Sequence, residues 1–157
     1  MFVSIAFAAF LSSHPLSHLS IKVEKGDLVH KITGQQGQTV YSNPFAVKVV
    51  LSNPSKAPIK LLTFFNEQHH LDFFVSKDGR KVSDRRYGNF FTFYSVSNPI
   101  EISIPANGTY TMNAAVNSVI RKEHQVPGKF TVKASFEYQG LKIESKPFVL
   151  QVSEVKD

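Results

Sequence analysis

Histidine and carboxylate side chains gather at one place in this sequence, and they are the first candidates for chemistry. His69 and His70 are adjacent, with Asp72 just after them and Glu67 just before. On a strand, His70 and Asp72 share a face, whereas His69 and His70 point to opposite faces. A metal site needs three or more converging ligands, and the zinc-protease pattern His-Glu-x-x-His is absent. A metal protein or enzyme using His70 and Asp72 is kept as an alternative; we predict no metal and no cofactor.

Other catalytic signatures are absent from the sequence. The chain has no cysteine, so it has no thiol nucleophile, no cysteine-ligated zinc and no disulfide. The nucleophile-elbow pattern Gly-x-Ser-x-Gly does not occur. Phosphate-binding loops are missing too, because Gly34 and Gly37 lie in a polar stretch that is not placed between a strand and a helix. We therefore predict that the protein is not an enzyme.

Arginine and aromatic residues concentrate between Arg80 and Tyr94. These residue types are enriched at hot spots of protein interfaces, and aromatic rings beside positive charge also hold single-stranded nucleic acid. The alternative is that some of the rings face the core. Since Phe90 and Phe91 are consecutive, at least one should face outward or be covered by a loop. The segment predicts a surface that binds a protein partner through Arg85, Arg86, Tyr87, Phe90 and Phe91.

The net charge of +6 would suit an anionic partner. However, lysines occur singly along alternating strands, as solvent-facing and edge positions require. The rest of the chain also lacks the basic stripe of a nucleic-acid-binding protein, so we predict no nucleic acid partner. The lysines in question are Lys22, Lys48, Lys60, Lys133 and Lys142.

The tripeptide Asn107-Gly108-Thr109 is an acceptor sequence for N-glycosylation in a predicted turn. It matters only in a eukaryotic secretory pathway, which the sequence does not establish. Glycosylation of Asn107 is therefore left open.

Residues 43–62 predict a strand, a turn and a second strand at the centre of the fold. Phe45, Val47 and Val49 share one face by the two-residue period of a strand. Asn53-Pro54-Ser55 then provides turn residues, since proline presets φ and the other two can bond their own backbone. We predict a central hairpin in which the two strands pair.

The same alternation recurs along the chain, with turn residues about every eight to twelve positions and no convincing amphipathic helix. Leu71, Phe73 and Val75 are predicted to face inward, and Asp78-Gly79 is a strong signal for a tight hairpin turn. The pattern predicts an all-β immunoglobulin/fibronectin-like antiparallel β-sandwich of about seven to nine strands. A closed barrel is the second choice.

The first eleven residues form the longest apolar run, and residues 1–20 contain no Lys, Arg, Asp or Glu. The run is too short to span a bilayer as a helix and resembles the hydrophobic region of a secretory signal. We expect a signal-like segment at 1–18, a single β-sandwich domain at 19–153 and a frayed tail at 154–157. If 1–18 is a signal, the protein is secreted or periplasmic; otherwise it is cytoplasmic.

Several strand and turn motifs occur in an order typical of one family. They are Val49–Pro54, Ala57–Leu62, Leu71–Val82, Ile104–Tyr110 and Val126–Val132. Over residues 43–137 this order resembles the immunoglobulin-like sandwich of BsuPI-type proteinase inhibitors. It is also similar to the sandwich that precedes the catalytic domain of deuterolysin-like metalloproteases. The resemblance implies a β-sandwich and, by analogy only, a role as a proteinase inhibitor or protease-associated domain.

The leading hypothesis is a non-catalytic, exported β-sandwich that binds a protein partner. Proteinase inhibition, in which an exposed loop enters an active-site cleft, is the second hypothesis. The identity of the partner and the oligomeric state do not follow from the sequence.

Overall fold

The structure, a computed structural model, describes residues 14–27, 29–34, 37–91 and 98–153; for residues 29–34, 37–42, 90 and 91 it describes the backbone. This part of the chain is built from strands joined by turns and short 3₁₀ helices, and none of its helices is long and apolar enough to cross a membrane. The strands are β1 (Ser20–Lys25), β2 (Val29–Gly34), β3 (Gly37–Ser42), β4 (Ala46–Asn53), β5 (Ile59–Thr63), β6 (Leu71–Lys77), β7 (Arg80–Lys81), β8 (Ile100–Ile104), β9 (Gly108–Ala115), β10 (Gly128–Tyr138), β11 (Leu141–Glu144) and β12 (Phe148–Val152). The 3₁₀ helices are Pro15–His18, Glu67–His70, Tyr87–Phe91, Val116–Val119 and Lys122–His124.

All strand pairs of the described residues are antiparallel, and most of them form two main sheets. One sheet has the order β1-β4-β9, and the other has the order β11-β10-β6-β7, with β12 also paired to β10. Two further pairs, β2–β3 and β5–β8, complete the described strands. The predicted all-β antiparallel sandwich is confirmed. The strands are more numerous than predicted, partly because β7 has only two residues and because β11 and β12 share one edge of β10.

The core lies between the two main sheets, where β1 packs across β10, β11 and β12. Phe45 precedes β4 and Phe130 belongs to β10; their rings meet edge to face, with centroids 5.3 Å apart. Both are almost fully buried, as are Leu71 and Val75 of β6. Phe73 is also buried, so the predicted inward face of β6 is confirmed. Its alternate residues consequently point to the outer face of the five-stranded sheet.

The predicted central hairpin is wrong, because β4 and β5 do not pair. β4 pairs with β1 and β9, whereas β5 pairs with β8. The buried side chain of Asn53 stabilises the connection between β4 and β5. It donates to the carbonyls of Ala57 and Pro105, and it accepts from the backbone N–H and the hydroxyl of Ser55. These bonds hold residues 53–58 as a connection from the β1-β4-β9 sheet to the β5–β8 pair.

The predicted turn at Asp78-Gly79 is confirmed. Both residues have positive φ, 49° and 75°, as a tight hairpin turn of this type requires. The turn sets β7 against the end of β6, with Lys81 opposite Ser76.

The first thirteen residues of the predicted signal-like segment and the tail 154–157 lie outside the described residues. Within the segment, Pro15–His18 forms a 3₁₀ turn and Leu16 is completely buried in the core. The packed domain therefore includes residues that precede Leu19, where the sequence predicted it to begin.

Candidate functional site

The outer face of the five-stranded sheet carries a shallow groove of about 350 Å³. Strands β6, β7 and β10 form its floor, the loop that follows β7 forms one wall, and β11 forms the opposite wall. We call it the outer groove and define it by Asp72, Phe74, Lys81, Asp84, Arg85, Arg86, Lys133, Ser135, Lys142 and Glu144.

Phe74 is the apolar centre of the outer groove. Its ring is 49% exposed, although it lies between Phe73 and Val75, which are both buried. Lys133 is its register partner on β10, and Lys81 Nζ lies 5.5 Å from the centroid of the ring. Alternation along β6 therefore places one large aromatic ring on the surface, beside two lysines.

The loop wall is held in place by the buried residue Ser83. The backbone N–H of Val75 donates to Ser83 Oγ at 3.1 Å, and the N–H of Ser83 donates back to the carbonyl of Val75. Ser83 also forms a β-bridge with Ile120, and the next N–H, that of Asp84, donates to the carbonyl of Val119. The position of Arg85 and Arg86 is thus set by backbone bonds on both sides of the loop.

Two carboxylates of the groove, Asp84 and Glu144, each contact two cations, of which Arg121 alone is not part of the groove lining. Asp84 contacts Arg85 at 3.2 Å and Arg121 at 2.9 Å. The hydrogen bond from Arg121 is the main cause that lowers the pKa of Asp84. On the opposite wall Glu144 pairs with Lys133 and with Lys142, and the hydrogen bond from Lys133 is the main cause that lowers its pKa. Both carboxylates are therefore held in the charged form.

The predicted binding residues are only partly brought together. Arg85 and Arg86 are exposed and line the outer groove, and Arg86 also contacts Glu137 at 3.3 Å. Phe90 and Phe91 belong to the 3₁₀ helix Tyr87–Phe91, but their side chains lie outside what the structure describes. That Arg85, Arg86, Phe90 and Phe91 contact a partner stays a prediction.

Tyr87 does not fit the role predicted for it, because its ring is 4% exposed. The ring packs edge to face on Phe73, with centroids 4.9 Å apart, and its hydroxyl donates to Gln68 Oε1 at 2.7 Å. Burial raises the pKa of Tyr87 to about 12. Its backbone N–H donates to Asp72 Oδ1. Tyr87 thus anchors the segment that follows the two arginines to the core instead of offering a contact surface.

His70 makes structural bonds through both ring nitrogens. Its Nδ1 lies 2.9 Å from the carbonyl oxygen of Glu137, which can only accept, so Nε2 is left to accept from the Thr63 hydroxyl at 2.8 Å. Burial lowers the pKa of His70 and favours this neutral ring. Asp72 Oδ1 accepts the N–H groups of Phe73 and Tyr87. Among the described residues, no three His, Asp or Glu side chains converge as metal ligands.

Sequence reasoning missed the centre of the site. Phe74 follows the inward-facing Phe73 in an alternating strand, so its outward position was available as a signal. Lys133 and Lys142 were read as isolated solvent-facing charges, yet β10 and β11 bring them onto the same carboxylate. That cluster depends on strand pairing, which spacing along the chain does not reveal.

No protein-family model matches the chain, and no curated protein matches it significantly. A function is therefore inferred from the outer groove.

Proposed function

We propose that the protein is a non-catalytic interaction module that binds a protein partner at the outer groove. The observation that carries the proposal is the half-exposed ring of Phe74 at the centre of a groove walled by arginines and lysines. The free energy falls when a partner covers a large ring that is otherwise exposed to water. Aromatic and arginine residues are the usual anchors of such contacts.

The charges of the groove support binding rather than acid–base chemistry. A general acid or base works best when its pKa lies near the working pH. Asp84 and Glu144 have pKa values shifted downward, away from that range, by the cations that contact them. Their role in the groove is to position cations. Proteinase inhibition and export stay predictions.

The test compares two exposed phenylalanines. Phe74 lies in the groove and is 49% exposed; Phe64 lies outside it and is 54% exposed. The wild-type chain, Phe74→Ser and Phe64→Ser would be immobilised and crosslinked in lysate of the source cells. The captured protein would be identified by mass spectrometry and purified, and its affinity for each variant measured by isothermal titration calorimetry.

We expect Phe74→Ser to weaken binding about tenfold or more, the effect of losing an aromatic hot spot. Phe64→Ser should change the affinity less than about twofold, and both variants should keep the wild-type circular dichroism spectrum. The proposal would be overturned if the partner bound Phe74→Ser as tightly as the wild-type chain. It would also be overturned if no protein were captured above the bead control.

A further inference from the structure

The clusters around Asp84 and Glu144, one at each side of the outer groove, both have excess positive charge. Asp84 is shared by Arg85 and Arg121, and Glu144 is shared by Lys133 and Lys142. Each cluster has two cations for one carboxylate, so each has a formal charge of about +1. The side chains of all four cations are between 40% and 60% exposed. Each wall can therefore accept one more anionic group from a ligand.

The floor between the clusters has one exposed aromatic ring and one further cation, besides the polar side chains of Asp72 and Ser135. Phe74 supplies the exposed ring, and Lys81 lies over it with Nζ 5.5 Å from the centroid. Within the described part of the chain no acidic side chain lies within ion-pair distance of Lys81. The groove thus has the order cation cluster, aromatic ring, cation cluster.

The distance between the clusters follows from the strand order β11-β10-β6-β7. Glu144 ends β11, and Asp84 follows β7 at the opposite edge, which makes three gaps between strands. With a spacing of about 4.8 Å per gap, Glu144 and the loop of Asp84 lie roughly 14 Å apart in the direction across the strands. An extended peptide advances about 3.4 Å per residue, so its residues i and i+4 are also roughly 14 Å apart. Those two residues and residue i+2 share one face of the peptide.

From this match we infer that the outer groove binds an extended acidic segment, in which acidic side chains at i and i+4 flank an apolar side chain at i+2. The inference rests on the function proposed above and names the chemistry of the partner. The acidic side chains pair with the clusters around Asp84 and Glu144. The apolar side chain covers Phe74.

The backbone at the groove edge favours recognition by side chains over addition of a strand. On β6 the N–H of Val75 is bonded to Ser83 Oγ, and the N–H of Phe73 is bonded to Asp72 Oδ1. An added strand would need these donors free. The partner segment therefore lies across the outer face instead of pairing with β6.

The groove suits an acidic peptide better than a nucleic acid. A nucleic acid carries a negative charge on every nucleotide and stacks successive bases on several rings. Along this groove its phosphates would meet the carboxylates of Asp72, Asp84 and Glu144, and among the described lining residues Phe74 has the one exposed ring. Two acidic groups separated by neutral residues bring fewer negative charges into the groove, and each can contact the cations beside Asp84 or Glu144.

The experiment uses a fluorescein-labelled peptide, Ser-Glu-Thr-Phe-Thr-Glu-Ser, titrated against the full chain by fluorescence anisotropy at low salt. Threonine at the intermediate positions favours an extended backbone. Replacing either Glu by Gln should weaken binding about two- to fivefold, the usual effect of one exposed ion pair. Lys133→Gln should cause a similar loss. The matched control is Lys60→Gln, because Lys60 is also ion-paired on a strand, to Glu101 at 3.1 Å, but lies outside the groove.

Three outcomes would overturn the inference. They are no peptide binding up to about 1 mM, equal binding of the double Gln peptide, and tighter binding of a labelled thymidine oligonucleotide that also depends on Lys133. If the peptide does not bind, but a purified partner binds Phe74→Ser more weakly than the wild-type chain, the acidic-segment inference is wrong and the proposed function stands. If neither ligand depends on Phe74, both fall.

Discussion

Phe73 and Phe74 are neighbours on β6, yet they belong to two different regions of the molecule. Phe73 lies on the inner face of the five-stranded sheet, 4% exposed and packed against Tyr87. Phe74 lies on the outer face, 49% exposed and covered in part by Lys81. The same side chain is thus a core residue at one position and the centre of the candidate site at the next.

The difference shows what holds each face in place. The inner face is fixed by close packing of large side chains, since Phe45, Phe130 and Phe136 are almost completely buried there. The outer face is arranged by ion pairs and by a loop that one buried serine attaches to the sheet. Substitutions on the inner face should therefore change stability, and those on the outer face should change binding.

The largest effect is expected for Phe73→Ala. Removing a buried ring leaves a cavity and should lower the free energy of unfolding by about 3–5 kcal/mol. The matched variant, Phe74→Ala, should change it by less than about 0.5 kcal/mol, because its ring is already half in water. Urea denaturation followed by circular dichroism measures both, since the chain has no tryptophan to report on unfolding. Equal losses would mean that the two faces are not distinct.

Ser83→Ala tests how the loop is attached, and an intermediate effect is expected. The substitution leaves the buried N–H of Val75 without its acceptor, which should lower the free energy of unfolding by about 1–3 kcal/mol. Ser145 is the natural control, because it is also buried and its Oγ accepts from the N–H of Ala134 at 2.9 Å. Ser145→Ala should therefore cause a loss of similar size.

Both serine variants should also weaken binding. Ser83 precedes Asp84 and Arg85 in the loop wall, and Ser145 follows Glu144 and bonds Ala134, which lies between Lys133 and Ser135. Ser83→Ala and Ser145→Ala should each weaken binding of the acidic peptide. Unchanged binding by both variants would mean that these attachments have no effect on the groove.

Local pattern was enough to predict much of this fold. Alternation identified the inward face of β6, and Asp78-Gly79 identified its turn, because both depend on neighbouring residues alone. The pairing of β4 could not be predicted in the same way. Pro54 and Ser55 are ordinary turn residues in sequence, and only the distant carbonyl of Pro105 shows that Asn53 begins a crossing between strand pairs.

The candidate site was predicted less well, for a related reason. Arg85 and Arg86 were recognised from composition and do line the groove. Tyr87 belongs to the same run of arginine and aromatic residues, but its burial is decided by Gln68 and Phe73, which are distant in sequence. The charge cluster around Glu144 likewise forms only when β10 and β11 pair. A composition argument finds the segment but does not sort its side chains between the two faces.

The smallest effect is expected where the two faces carry the same kind of contact. Lys81 Nζ lies 5.5 Å from the ring centroid of the exposed Phe74, and Lys77 Nζ lies 5.0 Å from that of the buried Phe130. Lys77 also donates to the carbonyls of Val126 and Pro127. Lys81→Gln should therefore lower the free energy of unfolding by about 0.5 kcal/mol or less, the size of an exposed cation–π contact. Lys77→Gln should lower it by about 1 kcal/mol, because hydrogen bonds are lost as well.

Binding should reverse this order. Lys81 contributes the floor cation of the outer groove, whereas Lys77 is not part of its lining. Lys81→Gln should weaken binding of the acidic peptide about two- to fivefold, and Lys77→Gln should leave the affinity of the peptide unchanged within error. The two variants, measured by urea denaturation and by peptide anisotropy, separate a contact that supports the fold from one that serves the surface. A larger loss of stability for Lys81→Gln than for Lys77→Gln would show that the outer-face lysine is structural.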